Sequence, residues 1–121
     1  MIPPHLANAY APPTVDTTDG TTTAAYIVDI PLNSIVEISM SVRARRRTTF
    51  GVSLFRRVYR VQNSASTLTL LQELAPLPDQ NANGYVVSCA VNSTTGQATV
   101  SFTGTAGHNV EWQIHDLSVI Q

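Results

Sequence analysis

All seven arginines of the chain lie between positions 43 and 60: Arg43, Arg45, Arg46, Arg47, Arg56, Arg57 and Arg60. No lysine accompanies them, and no acidic residue occurs between Glu37 and Glu73. A guanidinium is a planar fork that matches a carboxylate and stays charged when partly desolvated, which suits it to protein interfaces. The first expectation is therefore contact with acidic surfaces of neighbouring subunits. A solvated face that protects an edge strand from aggregation is the plainer alternative. Phosphate binding is the third, with Phe50, Phe55 and Tyr59 available to stack on bases. Against nucleic acid stands the overall charge of −1 and a pI near 6.2, because dedicated nucleic-acid binders are basic as a whole.

Catalytic and metal chemistry find little footing. The histidines are His5, His108 and His115. His115 and Asp116 are adjacent, and neighbours on a strand point to opposite faces, so they cannot share a metal or form an oriented pair. No G-x-S-x-G, P-loop or H-E-x-x-H stretch is present, and Cys89 has no basic partner nearby in sequence. A carboxylate pair for glycoside hydrolysis would have to be drawn from distant Glu73, Asp79 and Glu111. No enzyme, no cofactor and no metal are expected. Cys89 falls in the run Tyr85, Val87, Cys89, Val91 and reads as a small buried apolar side chain.

The elements that position these residues follow from a two-residue period. Val36, Ile38, Met40, Val42 and Ala44 alternate with Glu37, Ser39, Ser41, Arg43 and Arg45, the pattern of a half-buried antiparallel strand. Ala24 to Leu32 forms a strand before it. In the run Thr48 to Gln62, Phe50, Val52 and Leu54 share one phase and Phe55, Tyr59 and Val61 the other, which predicts a bulge near Phe55 to Arg57. Further strands follow around Leu68 and Leu70, Tyr85 to Val91 and Gln97 to Thr103. A last strand carries Val110, Trp112 and Ile114, then shifts phase at His115-Asp116 so that Leu117 and Val119 face the core. Residues 75 to 84 make the longest interior loop. The final two strands read as a hairpin about the turn Gly104 to Gly107. No amphipathic helix and no internal repeat occurs. The expected fold is an all-β antiparallel two-sheet sandwich or jelly roll of about seven to eight strands.

With 121 residues the chain is long enough for one self-sufficient domain. Only 12% of residues are charged, so hydroxyls, amides or surfaces covered in an assembly must supply solubility. No signal peptide or membrane-length apolar run is evident, so synthesis in a cytosol and no membrane partner are expected. Residues 1–20 differ from the remainder. They hold Pro3, Pro4, Pro12 and Pro13 among apolar residues that include Leu6 and Tyr10, which reads as an extended interface arm before a sandwich over 21–121.

The order of a strand, the turn Gly104-Thr-Ala-Gly107 and a strand centred on Trp112 resembles a β-sandwich domain of small virion proteins and fibre modules of tailed bacteriophages. Ile30 to Arg46 and Phe50 to Val61 look like its front half, so the resemblance spans residues ~22 to 121. It implies a virion structural protein made in the host cytoplasm, bound to the major capsid protein or other virion subunits. Head decoration or cementing is the first expectation, through Pro3, Pro4, Leu6, Tyr10, Pro12, Pro13 and the seven arginines. A homo-oligomer, dimer or trimer, would suit such an arm. A tail or fibre-attachment protein is the alternative within that class. A carbohydrate-binding module for host surfaces is the alternative outside it, and would use exposed Tyr10, Tyr26, Tyr59 or Tyr85.

Overall fold

Alternating apolar and polar residues become strands because each strand can bury one face only by laying it on a second sheet. The computed structural model describes residues 14–49 and 51–121 and contains eight strands among them. They are β1 (Thr14–Thr18), β2 (Thr22–Asp29), β3 (Ser34–Arg46), β4 (Val52–Ser64), β5 (Thr67–Leu74), β6 (Val86–Asn92), β7 (Gln97–Thr103) and β8 (Asn109–Ile120). Two antiparallel sheets result, a five-stranded one in the order β1-β8-β3-β4-β5 and a three-stranded one in the order β2-β7-β6. The expected all-β sandwich is the observed fold. The first strand pairs with the last and the second with the seventh, the nested ribbon of jelly rolls, while β3, β4 and β5 continue the large sheet as a meander.

The core lies between the sheets and centres on Trp112 of β8. Its ring stacks on Phe102 of the facing β7 at 4.6 Å between centroids and 11° between planes. Phe55 of β4 and Tyr85, just before β6, complete the cluster at 6.1 and 5.6 Å. Next to Trp112 on the same inward row stand Ala44 and Ser53, both 0% exposed. Small residues beside an indole leave the volume it needs.

The segment Gln97 to Gln121 is therefore not a hairpin. β7 and β8 belong to different sheets, and the Gly104 to Gly107 turn carries the chain across the sandwich. Sequence period cannot tell these cases apart, because each strand buries one face either way. The turn still needs its glycines. Gly107 has φ of 81°, and a Cβ on Gly104 would lie 2.6 Å from the Asp19 carbonyl oxygen.

Three local expectations met different outcomes. The phase shift in β8 is present: the β3 register jumps from Ser39↔Ser118 to Ser41↔His115, and Asp116 takes φ of 52°. The bulge expected near Phe55 to Arg57 is absent, since β3 and β4 pair without interruption from Arg45↔Val52 to Ser34↔Asn63. Ser53, Phe55, Tyr59, Val61 and Asn63 all face inward, leaving Val52 and Leu54 outside; the irregularity lies instead against β5, at Arg60 and Val61. Phe50, placed in phase with Val52, lies outside the described residues.

Residues 14–18, which the sequence places in the arm, form strand β1 and belong to the large sheet. Thr17 is 2% exposed, and its Oγ1 accepts a 2.9 Å hydrogen bond from the Trp112 indole Nε1. The remaining arm residues, with Pro3, Pro4, Leu6, Tyr10, Pro12 and Pro13, lie outside the described residues.

A buried donor that loses its acceptor costs about 1–3 kcal/mol. Thr17→Val is expected to lower the urea midpoint accordingly, and Gly104→Ala to lower it through the carbonyl clash. Thr99→Val, on the outer face of the small sheet, should change stability by less than about 0.5 kcal/mol. Equal midpoints for Thr17→Val and Thr99→Val would show that β1 does not anchor Trp112.

Candidate functional site on the outer face of the large sheet

Alternation along β3 turns Arg43 and Arg45 outward, and in-register pairing places Arg56 and Arg60 of β4 on the same face. The seven arginines nevertheless do not form one free basic ribbon. Arg60 Nε donates to Glu37 Oε2 at 3.0 Å and its Nη1 to Gln72 Oε1 at 2.8 Å. Arg47, just past β3, donates to Asp16 of β1 at 2.7 Å and lies 3.3 Å from Glu111 of β8. Arg45 reaches Glu111 at 3.4 Å. The carboxylates missing from positions 38 to 72 are thus supplied by strand pairing, from Glu37 at the start of the run and from β1 and β8.

Arg57 departs from the ribbon in another way. It occupies an inward-facing position near the open end of the sandwich, where its side chain is 12% exposed. Two guanidinium nitrogens grip Asp79 at 2.6 and 2.7 Å, and the group stands 5.6 Å over the Phe55 ring. This bidentate pair anchors the long loop. Beyond Val58, β5 no longer pairs with β4, and Gln80 takes over that edge through two backbone hydrogen bonds with Leu54, at 2.8 and 3.0 Å. The Arg57 guanidinium holds the Asp79 carboxyl below the ordinary carboxylate range.

Arg43 and Arg56 are matched differently. Arg43 Nη2 donates to Gln113 Oε1 at 2.6 Å, and Arg56 Nη1 to Ser41 Oγ at 3.2 Å. Both acceptors are neutral. These two arginines, with Ser41 and His115, line a groove of about 540 Å³ whose far wall is Leu54 and the loop residues Leu77 and Pro78. Arg46 lies at the end of β3, its Nε buried without a hydrogen-bond partner among the described residues. Sequence reading found the cations but missed the groove, because its wall comes from a loop that period alone does not place.

The aromatic candidates sit elsewhere. Phe55, Tyr59, Tyr85 and Tyr26 are 4%, 0%, 2% and 6% exposed, so none offers a face to a base or a sugar. Tyr85 donates or accepts a 2.7 Å hydrogen bond with His108 Nδ1, which ties the start of β6 to the turn before β8. Cys89 is half-buried, and burial, with Glu73 adding, pushes its thiol up to about 11. Among the described residues no three His, Cys, Asp or Glu side chains come together as a metal site.

Asp79 has the lower pKa in the folded state, so its contribution to stability is present above the unfolded value and lost as pH falls through the folded one. Amide protection at Leu54 and Gln80 is expected to hold down to about pH 4 and to fall below it. Asp79→Asn should show the weaker protection above about pH 4 and converge with the wild type below it; a flat profile in the wild type would refute the anchor. At pH 8 the native chain should be alkylated at Cys89 about a hundredfold more slowly than the unfolded chain, in line with its raised pKa. Equal rates, followed by mass spectrometry, would show an accessible thiolate.

No family model matches the chain, and no curated protein has detectable sequence similarity to it.

Proposed function

We propose that the chain is a structural subunit of a tailed-phage virion, a head decoration or cement protein that docks as a rigid sandwich on neighbouring subunits. The observation that carries this reading is the outer face of the five-stranded sheet. No helix or further sheet covers it among the described residues. Ile35 and Ile120 stand exposed at one end and Val52, Leu54 and Leu77 at the other, with Arg56 and Arg60 between them and Arg43 and Arg45 beside Leu54 and Val52. Apolar side chains interspersed with arginine are the composition of a protein interface rather than of a surface built only for solubility. The resemblance of the Gly104 to Trp112 segment to virion sandwich domains points the same way.

In mechanism, the sandwich supplies a stiff body and the outer face supplies the contact to the major capsid protein or another virion subunit. Modest binding by one copy becomes substantial when many copies occupy a lattice. An assembly as dimer or trimer would serve this role. Arg45 and Arg47 hold β1 and β8 to β3 through carboxylates, so their removal would disturb the sheet itself; Arg43 and Arg56 are the cleaner probes.

The test is cosedimentation of the purified chain with phage shells lacking it, at several salt concentrations. Saturable binding is expected, with loss for Arg43→Glu/Arg56→Glu although that variant keeps its β circular dichroism. Absence of saturable binding to shells, with binding to tails, would assign the chain to the tail; binding to neither would sink the virion reading.

A further inference from the structure

The outward residues of three paired strands form a grid around the groove. Gln113 and His115 stand on β8, Arg43 and Ser41 beside them on β3, and Leu54 and Arg56 beside those on β4. Arg43 and Arg56 are diagonal neighbours, so their backbones stand about 7–8 Å apart on one face. One bound anion can bridge two long side chains at that spacing. Each guanidinium carries five N–H donors, and among the described residues each makes one hydrogen bond to another side chain, to a neutral acceptor.

Charge accounting singles out this place. Among the described residues Arg45, Arg47, Arg57 and Arg60 each have a carboxylate partner, whereas Arg43, Arg46 and Arg56 do not, and of these three only Arg43 and Arg56 line the groove. Two positive charges therefore remain uncompensated within one concavity. Beside them the wall is aliphatic, with Leu54 41% and Leu77 60% exposed and Pro78 next to it. A ligand that satisfies both halves carries a carboxylate next to an apolar side chain.

We propose that this groove binds an acidic–apolar peptide segment, its carboxylate bridging Arg43 and Arg56 and its adjacent apolar side chain resting on Leu54 and Leu77. The inference rests on the docking reading above for the source of that segment, a neighbouring subunit; the chemistry rests on the groove. The chain's own N-terminal segment is a poor occupant, because residues 1–13 contain no Asp or Glu. A nucleic acid fits less well, since Asp79 places a carboxylate at the groove and, of the two aromatic rings in the lining, Phe55 is 4% exposed and faces inward, leaving the His115 imidazole alone to stack on a base.

Fluorescence anisotropy of the full chain tests this with a labelled peptide of alternating Leu and Glu. Its Leu–Gln and Ala–Glu counterparts and a thymidine oligonucleotide serve as comparisons. The Leu–Glu peptide is expected to bind, and both counterparts to bind about tenfold more weakly or less. Arg43→Gln and Arg56→Gln should each weaken the Leu–Glu peptide about tenfold, and Arg56→Lys, which keeps the charge but not the fork, by less. Asp29→Asn, on the opposite sheet, should leave binding unchanged. Unfolding midpoints close to wild type would show that each variant is folded.

The proposal is overturned if Leu–Glu binds no tighter than Leu–Gln, if the arginine variants bind as wild type does, or if the oligonucleotide binds more tightly with the same arginine dependence. Self-association that blocks the peptide would assign the groove to a second copy and overturn it as well. Shell binding without peptide binding would refute the groove's ligand while leaving docking intact. Peptide binding without shell binding would do the reverse.

Discussion

The indole of Trp112 is the point on which the two sheets agree. It stacks on Phe102 across the sandwich, touches Phe55 and Tyr85 at its margins, and gives its only N–H to Thr17. An indole buries a large apolar area but demands one acceptor, and that demand recruits β1. Without Thr17 the donor would be shut away from both water and protein. The small side chains of Ala44 and Ser53 in the same row are the sheet's accommodation to that ring. Packing, strand order and the place of the N-terminal strand thus follow from one side chain's volume and polarity.

Charge follows from that arrangement. β1 and β8 bring Asp16 and Glu111 beside Arg47 and Arg45, so strands secured by the core neutralise arginines that are far from any carboxylate in sequence. The loop brings Asp79 to Arg57 in the same way. What remains uncompensated is a consequence of topology rather than of composition. Surface ion pairs add little stability singly, but their distribution decides where a surface is free to attract.

Much of the fold was legible in the chain, and the exceptions have physical causes. The strict alternation of β3 and the phase shift at His115-Asp116 are local and were readable, because one buried face imposes a two-residue period. Whether Gln97 to Gln121 folds back within one sheet or crosses to the other was not, since the period is identical in both. Val52 and Leu54 misled for a related reason: apolar side chains suggest burial, yet unbroken pairing with β3 fixed their side, and Ser53 took the inner place beside Ala44. At the candidate site the arginines were evident from residue type. Their pairing, and the Leu77–Pro78 wall of the groove, depend on contacts between residues far apart in sequence.

The position of β8 bears on how the molecule is made. It lies between β1 and β3 and carries Trp112, yet it is the last of the eight strands to leave the ribosome. At ordinary translation speeds, roughly five to twenty seconds separate β1 from β8. During that interval β1 has no neighbour in its sheet. The domain therefore matures in one late step, and a nascent chain halted before Asn109 exposes apolar strands to whatever chaperone or sister chain is nearest.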